Sequence, residues 1–302
     1  MTKGPTATVG PFRVRVPAAR WGGEAVRRYR AAMRMLSWNV GRQDLWEQVA
    51  AGEYDVALLQ EAGAPPQDVG LDVLPSPDEP WDAGVPEPRP WRTAVAARPG
   101  VTLRPYPMTP RHRAGAKSLA VSRPGTLTVA EVEAGGGPAL TVASAYGTWE
   151  SALDRDGLIY SDASAHQLLG DLAQLVAGPD DHRMVVAGDW NLLRGYAEDG
   201  DPYWAARAQS VFDRAAAMGL RYIGPQAPHG RQADPWPPEL PRSSRNVPTF
   251  HDDQQTPAQA TRQLDHVFAS AAIADHVHVS ALNTPGEWGP SDHCRLSITV
   301  DL

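Results

Sequence analysis

The 302-residue sequence has a single cysteine, Cys294, so an internal disulfide bond is excluded. It has no apolar run approaching the roughly 18 residues of a membrane-spanning helix. Residues 1–16 also lack the apolar centre of a secretory signal peptide. No internal repeat at a fixed period is visible. These absences predict a cytoplasmic protein without a membrane span.

Lysine is nearly missing as well, since Lys3 and Lys117 are the only two in the chain and arginine supplies the other basic residues. Together with 29 prolines and abundant alanine, this composition indicates coding bias, so the arginine excess is not evidence of phosphate binding. The formal net charge of -7 weakly opposes non-specific adhesion to nucleic acid but leaves room for a local basic groove. A hydrophobic content of 42% indicates a folded globular chain.

Short apolar runs alternate with helical segments and with loops rich in proline and glycine. This pattern predicts one α/β domain over residues 31–302, preceded by an N-terminal extension of residues 1–30. Strands are predicted at residues 34–40, 55–60, 118–122, 127–133, 139–145, 184–188, 264–269 and 295–300, and helices at 43–51, 163–177 and 202–218. Residues 62–92 and 224–248 are predicted to be long loops, which in a compact domain are usually functional or disordered.

Several predicted strands end in polar residues that their apolar character does not explain. The stretch VVAGDWNLL, residues 185–193, places Asp189 and Asn191 at the end of an apolar run. The same pattern gives Asn39 in LSWNV, Glu61 after DVALLQ, Tyr146 in SAYG, Asp265 in RQLDHVF, and Asp292 and His293 in SDH. Each residue alone has a structural explanation, such as an Asx turn. Together they predict a site, because strand ends of one sheet converge in space.

These segments also carry a family resemblance. In their order, LSWNV, LLQEA, SAYGTWE, GDWN, RQLDHVFAS and SDH resemble the endonuclease/exonuclease/phosphatase superfamily, which includes deoxyribonuclease I, abasic-site endonucleases, neutral sphingomyelinases and inositol polyphosphate 5-phosphatases. The resemblance runs from about residue 34 to the C-terminus, and GDWN with the closing SDH is its most specific part. It implies a deoxyribonuclease I-like α/β fold: a four-layer α/β sandwich of two packed mixed β-sheets flanked by helices. It also implies cleavage of phosphoester bonds with Mg²⁺ or Mn²⁺.

Phosphoester hydrolysis needs neutralised charge on the phosphate oxygens, an aligned water and a stabilised leaving group. Under the resemblance, Glu61 and Asp292 are the carboxylates expected around the metal, since hard oxygen ligands suit Mg²⁺. Asn39 is expected to position the metal or a phosphate oxygen. Asp189 is expected to orient and deprotonate the attacking water.

The remaining site residues are expected to bind the phosphate or to position those that do. Asn191 would donate a hydrogen bond to the phosphate, and His293 would donate to a phosphate oxygen or take part in proton transfer. Asp265 resembles the carboxylate that bonds this histidine, fixing its tautomer and favouring the imidazolium. Tyr146 stands where relatives place a tyrosine or histidine near the scissile phosphate. Gly41 occupies the position at which abasic-site endonucleases carry an acidic residue, which counts against abasic-site repair.

Three functions are compatible with this reading. A metal-dependent DNA endo- or exonuclease is the leading hypothesis, and a phosphatase or phosphodiesterase acting on a small molecule or a lipid headgroup is the second. A non-catalytic binding scaffold is the third, and it is disfavoured because a degenerate copy should have lost several catalytic side chains. Loops around a shared site set the substrate in this family, so the site residues do not choose between the first two.

Residues 89–117 carry many basic side chains and are predicted to form a loop. As a strip that follows a nucleic-acid backbone, this loop would use Arg111 and Arg113 on the phosphates, with Trp91 and Tyr106 as stacking surfaces. The alternative is a solvated loop in an arginine-rich chain, which the overall composition favours.

Overall fold

The computed structural model describes residues 32–83, 89–153, 155–176, 178, 182–195 and 201–301, and the predicted N-terminal extension lies outside them. One six-stranded sheet contains β1 (Met33–Asn39), β2 (Val56–Ala62), β3 (Asp72–Leu74), β4 (Arg92–Ala97), β15 (Val277–Leu282) and β16 (Arg295–Val300). Its spatial order is β15-β16-β1-β2-β4-β3. We call it the first sheet.

The second sheet also has six strands. They are β5 (Val101–Pro105), β8 (Leu127–Ala134), β9 (Leu140–Tyr146), β12 (Met184–Asp189), β13 (Leu220–Gly224) and β14 (Asp265–Ser270), in the order β13-β14-β12-β9-β8-β5. Two short pairs complete the strands: β6 (Met108–Pro110) with β7 (Leu119–Val121), and β10 (Glu150–Ala152) with β11 (Arg155–Tyr160).

Three α-helices cover the outer faces of the two sheets. α1 (Trp46–Ala51) buries Trp46 and Val49 against the first sheet. α2 (Asp162–Leu172) and α3 (Pro202–Ala217) pack on the second sheet, and the leucines of α2 at helical spacing supply its apolar face. A separate cluster of buried, mostly aliphatic side chains fills the space between the two sheets. The layers are therefore helix, sheet, sheet and helix, which confirms the predicted α/β sandwich.

Each sheet has one parallel strand pair at its centre, β1 with β2 and β9 with β12. These four strands end at Asn39, Ala62, Tyr146 and Asp189. β14 runs antiparallel to β12, and its first residue, Asp265, pairs with Asp189. These strand ends lie at or next to the residues that the sequence predicts for the site. The two central parallel pairs therefore bring the site residues together.

Gly188, the first residue of GDWN, is required by close strand packing. Its φ is 153°, and a Cβ atom there would lie 1.9 Å from the carbonyl oxygen of Ala145 on β9. A side chain would separate β12 from β9 one residue before Asp189. The glycine therefore allows the central pair of the second sheet to remain joined up to the site.

The predicted strands are all present, with ends within two residues of the expected ones. The predicted loop over residues 89–117 is wrong, because it contains β4, β5 and β6. β4 is buried at five of its six residues, so its RTAVAA sequence lacks the alternation of a half-exposed strand. α1 begins at Trp46 rather than at residue 43, where the Gln43 side chain instead donates to the Pro290 carbonyl. Residues 225–248 form the second predicted long loop, whereas the loop predicted over residues 62–92 is wrong in part, because it contains β3.

Candidate active site

A cavity of about 320 Å³, which we call the catalytic cavity, opens where the ends of the central strands meet. Six of the residues that the sequence predicts line it: Glu61, Tyr146, Asp189, Asn191, Asp292 and His293. Asn39 and Asp265 stand behind it and bond to lining residues. Residues from six separate segments thus meet at one place.

Asp189 is buried and held by two asparagines. The Asn39 amide donates to Asp189 Oδ2 at 2.9 Å, and the Asn191 amide donates to the same oxygen at 3.1 Å. The Asn191 backbone N–H donates to Asp189 Oδ1 at 2.9 Å. These three bonds fix the direction of both carboxylate oxygens. The GDWN turn interrupts its apolar strand in order to build this clamp.

The partners of the two asparagines differ from those expected. The Asn191 amide nitrogen also donates to the Gly147 carbonyl at 2.8 Å, so the protein already uses its hydrogens. Asn39 Oδ1 accepts from the Gly41 N–H at 2.9 Å, while its amide nitrogen faces Asp189. Both side chains therefore position Asp189 in this structure, and the Asn39 amide also donates to Glu61 Oε1 at 3.4 Å.

His293 lies between two buried carboxylates. Its Nδ1 is 2.8 Å from Asp265 Oδ2, and its Nε2 is 3.7 Å from Asp189 Oδ2. Burial disfavours the imidazolium, but the negative charges of Asp265 and Asp189 outweigh it and raise the pKa of His293. Burial also raises the pKa of Asp189, an effect that the nearby histidine opposes. The arrangement favours a protonated histidine whose Nε2–H faces Asp189 and the cavity.

Asp189, Asp265 and His293 bring potential ligand atoms within 4.8 Å of one another, a spacing that could hold a metal ion. The negative charges of Asp265 and Asp189 favour the imidazolium form of His293, which argues for a different use of the cluster. An imidazolium carries a proton on both nitrogens and has no lone pair for a metal. We therefore read the three residues as a hydrogen-bonded Asp265–His293 pair with the Asp189 carboxylate beside it.

The SDH turn that carries His293 is bonded to the first sheet. The Ser291 hydroxyl donates to the Asn39 carbonyl at 2.7 Å and accepts from the His293 N–H at 3.1 Å. The Trp38 indole N–H donates to the His293 carbonyl at 3.0 Å. The two residues of β1 that make these bonds, Trp38 and Asn39, are adjacent in sequence. The end of β1 therefore positions both Asn39 and His293.

Glu61 faces the catalytic cavity from the first sheet. Its Oε2 accepts from Arg42 Nε at 2.8 Å, and the Arg42 guanidinium lies 4.9 Å from the centre of the Trp91 ring. Glu61, Arg42 and Asn191 are the non-glycine residues of the described chain with positive φ, at 49°, 63° and 50°. All three line the cavity, which is where strained backbone is typically found in enzymes.

Tyr146, contributed by the second sheet, lines the catalytic cavity together with Glu61. Burial raises the pKa of Tyr146 well above its ordinary value, and the negative charges of Glu61 and Asp189 add to the shift. The phenol therefore stays protonated and acts as a donor. Its ring packs edge-on against Trp91, with centroids 5.3 Å apart.

The donor set of the catalytic cavity fits a divalent cation. Its lining carries more carboxylates than cationic groups: Glu61, Asp189, Asp252, Asp253 and Asp292 against Arg42 and His293. A phosphate group would be repelled by this excess of negative charge unless a cation entered with it. Carboxylate oxygens are the ligands that Mg²⁺ prefers. Glu61 and Asp292 are the lining carboxylates that fit this role, because Asp189 is occupied by its asparagines.

Some predicted binding residues lie away from the cavity. Arg111 donates to the buried Asp171 at 2.8 Å, and Arg113 is exposed in the same short 3₁₀ turn. Trp91 is buried, unlike a ring that is open for stacking. Neither arginine of the predicted pair lines the cavity.

Sequence reasoning missed several residues that line the cavity. They are Arg42, Trp149, Phe250, Asp252 and Asp253. Phe250 contacts the His293 ring, with centroids 4.9 Å apart. The sequence feature that could have indicated Phe250, Asp252 and Asp253 is the stretch TFHDD, residues 249–253. It places an aromatic residue and two aspartates directly after the long loop. Its link to the site comes from an isolated bridge between Phe250 and His293, which no local pattern reveals.

Gly41 gives a test of how closely the cavity is packed. Its φ is 57°, and a Cβ there would lie 3.0 Å from Asp292 Oδ1, whereas Gly70 has φ 72° and nothing within 4 Å. We expect Gly41→Ala and Gly70→Ala each to lower the free energy of unfolding by about 1 kcal/mol, because both force alanine into the left-handed region. Only Gly41→Ala should lower activity. Urea unfolding and rate measurements on both variants check this, and equal activities would refute the packing at Asp292.

Fold and cavity together define a phosphoester hydrolase of the α/β-sandwich class. The chain belongs to the Endonuclease/Exonuclease/phosphatase family, whose model matches residues 36–293. No curated protein matches the sequence. None of the helices in the described ranges has the length and apolar character that crossing a membrane requires.

Solved structures show the same fold at low sequence identity. The AP endonuclease LMAP from Leishmania major is 16% identical, with a TM-score of 0.57 over 95% of this chain and 93% of that one. The endonuclease domain of TRAS1, a telomere-specific non-LTR retrotransposon, is 16% identical, with a TM-score of 0.55 over 89% and 99%. The 3'-5' exonuclease NExo from Neisseria meningitidis is 18% identical, with a TM-score of 0.53 over 89% and 100%. These likenesses support the fold alone.

Proposed function

We propose that the chain is a divalent-metal-dependent phosphodiesterase that cleaves DNA, as an endo- or exonuclease, with an activated water. One observation carries the proposal: a clamped buried carboxylate, a histidine paired with an aspartate, and four further carboxylates face the same 320 Å³ cavity. Such a cavity holds the parts that phosphoester hydrolysis requires.

In the proposed reaction Asp189 orients a water and accepts one of its protons as the water oxygen bonds to phosphorus. The bond between phosphorus and the leaving oxygen breaks, and that oxygen takes a proton from a water molecule. His293 donates a hydrogen bond from Nε2 to a non-bridging phosphate oxygen, and Asp265 holds the ring in position. Asn39 and Asn191 keep the Asp189 carboxylate aimed at the water.

Glu61 and Asp292 are the residues that would hold Mg²⁺ or Mn²⁺, with Arg42 fixing the glutamate. When bound, the ion would neutralise charge on the phosphate oxygens. Arg42 takes up part of the Glu61 charge in the structure, so we expect Glu61 to be a weaker metal ligand than an unpaired carboxylate.

DNA is the proposed substrate because proteins of the same fold act on nucleic acid. Solved structures of this fold include an AP endonuclease, a 3'-5' exonuclease and a 3' phosphatase bound to a product DNA hairpin. A small phosphoester is the second candidate, favoured by the position of Arg111 and Arg113 outside the catalytic cavity. Arg111 and Arg113, which the sequence predicts as phosphate contacts, therefore have no role in the catalytic cavity.

The test is hydrolysis by the full chain of plasmid DNA, single-stranded oligonucleotides and bis(4-nitrophenyl) phosphate, each with Mg²⁺, with Mn²⁺ and with EDTA. We expect metal-dependent DNA cleavage that EDTA abolishes. We also expect Glu61→Gln to raise the metal concentration for half-maximal rate by about 10-fold, because a charged ligand is lost. Glu53→Gln is the matched control, since Glu53 is exposed and pairs only with the exposed Arg34 in the structure.

Two outcomes would change the conclusion. If DNA stays uncut while the small phosphoester is hydrolysed, the second candidate replaces the nuclease. If EDTA leaves every rate unchanged, the metal-dependent reaction is refuted.

A further inference from the structure

A second cavity of about 510 Å³ adjoins the catalytic cavity, and we call it the aromatic pocket. The two cavities share Trp149, Asn191 and Phe250 as walls. A group attached to a phosphate in the catalytic cavity can therefore extend into the aromatic pocket directly. The shape and chemistry of the aromatic pocket therefore indicate which part of the substrate lies next to the scissile bond.

Flat groups from α3 and from the end of β11 form one wall of the aromatic pocket. The Arg207 guanidinium lies 4.7 Å from the Tyr160 ring centre and 4.6 Å from the Trp204 ring centre. Asp162 holds this guanidinium with two hydrogen bonds of 2.9 and 2.8 Å, so the arginine cannot rotate freely. The wall is therefore fixed before a ligand arrives, which lowers the entropy that binding costs.

Apolar side chains around the aromatic pocket remain open to water. Among the described residues, the large exposed hydrophobic side chains are Trp149, Leu153, Ile159 and Tyr203. Trp149 and Ile159 line the pocket and are 51% and 58% exposed, although a soluble domain normally buries such groups. Exposed apolar groups gathered at a cavity beside a catalytic centre indicate a bound partner that covers them.

The polar groups of the aromatic pocket distinguish between possible ligands. Asp162, Glu239 and Arg262 line it together with the rings, so charged donors and acceptors stand among flat apolar faces. A nucleobase has both a π-face and a polar edge and fits this mixture. Asp162 is already paired with Arg207, but a hydrocarbon chain would offer Glu239 and Arg262 no polar partner, which costs free energy.

We infer that the aromatic pocket receives an unpaired nucleobase adjacent to the scissile phosphate, with Trp204, Tyr160 and Trp149 providing the stacking faces. The inference rests on the proposed DNA cleavage and specifies it. A base in a duplex must leave its stack to enter such a pocket, at a cost that a single strand does not meet. The enzyme should therefore prefer single-stranded DNA, frayed ends or mismatched positions to an intact duplex.

The test uses short oligonucleotides in which one linkage is a natural phosphodiester and the others are uncleavable methylphosphonates. One member of each pair carries bases at both nucleotides of that linkage, and the other has a baseless tetrahydrofuran on one side. We expect kcat/KM to fall about 10-fold when the base on one side is removed, as base stacking on aromatic side chains predicts.

Variants assign this preference to the aromatic pocket. In Trp204→Ala the ratio of kcat/KM between the base-bearing and baseless substrates should drop from about 10 to about 1, and Trp204→Phe should restore most of it. Leu153→Ala is the control, because Leu153 is an exposed apolar residue close to Trp149 in sequence but does not line the pocket. It should keep the ratio of the unmodified protein.

The possible results separate this inference from the proposed function. Cleavage with a ratio near 1 on both sides, or a ratio that Trp204→Ala leaves unchanged, overturns the base-binding role while leaving the nuclease intact. If neither oligonucleotide is cut under conditions in which a small phosphoester is hydrolysed, DNA cleavage and the base-binding role are both refuted. Loss of the ratio in Leu153→Ala as well would assign the effect to the exposed apolar residues in general and not to the pocket.

Discussion

Replacing Asp189 with asparagine is expected to lower the rate of phosphoester hydrolysis by at least about 100-fold, the usual contribution of general acid–base catalysis. The amide has the same shape and keeps an oxygen that can accept from the Asn191 N–H. It cannot accept the proton of the attacking water. Its NH₂ group would also face the donors of Asn39 or His293, which adds to the loss. Steady-state rates with saturating metal measure the effect.

The matched control is Asp171→Asn. Asp171 is a buried aspartate on α2 that accepts from Arg111 and from the Ser122 backbone and hydroxyl, outside the catalytic cavity. Its replacement should reduce stability, because charged hydrogen bonds are weakened, while the rate of the folded protein is retained. If Asp189→Asn is well folded and hydrolyses substrate as fast as Asp171→Asn, Asp189 is not the base.

The second large effect is expected at His293 and depends on Asp265. His293→Ala should lower kcat by about 100-fold or more, since the donor to the phosphate oxygen is removed. Asp265→Asn should lower it by about 10- to 100-fold, because a charged hydrogen bond of about 1.5–3 kcal/mol that fixes the ring is weakened. Asp265 touches no substrate in this scheme and acts as a positioning residue.

A double-mutant cycle separates that positioning role from a general loss of structure. If Asp265 acts through the histidine, Asp265→Asn should have almost no further effect on kcat in the His293→Ala background. Independent, additive losses would contradict the pairing. Unfolding curves for all four proteins show whether the two residues also contribute to stability.

The alternation of apolar runs and polar strand ends predicted much of this architecture. The strands ending in LSWNV, ASAYG and VVAGD lie at the centres of the two sheets, and each ends within one residue of the expected position. Such strands are strongly apolar because both faces are covered, and the polar residue that follows marks the edge of the core. The outer strands, β13 and β15 among them, were missed.

The hydrogen-bond partners of the site residues were less predictable from the sequence than the positions of those residues. Asn39 and Asn191 lie at the site as expected, but their amides bond to Asp189, and Arg42 pairs with Glu61. A strand-end motif fixes which residues come near the cavity, whereas hydrogen-bond partners depend on distances across two sheets. The loop predicted over residues 89–117 is also wrong. Its β4 segment has a weak intrinsic preference for strand, but pairing with the neighbouring strands β2 and β3 buries it in the first sheet.

By itself, the sequence determined one α/β domain and the set of polar residues at its strand ends, because covered strands and their exposed ends have compositions that are visible locally. The sandwich architecture followed from the family resemblance of the motifs and not from composition. The tertiary structure alone decided that Asp189 is clamped by asparagines from both sheets and that Phe250 and the TFHDD segment join the site. It also decided that an aromatic pocket from α2, α3 and β11 adjoins the catalytic cavity. These contacts join residues far apart in the chain, and packing of the sheets and helices, which no local pattern records, sets their distances.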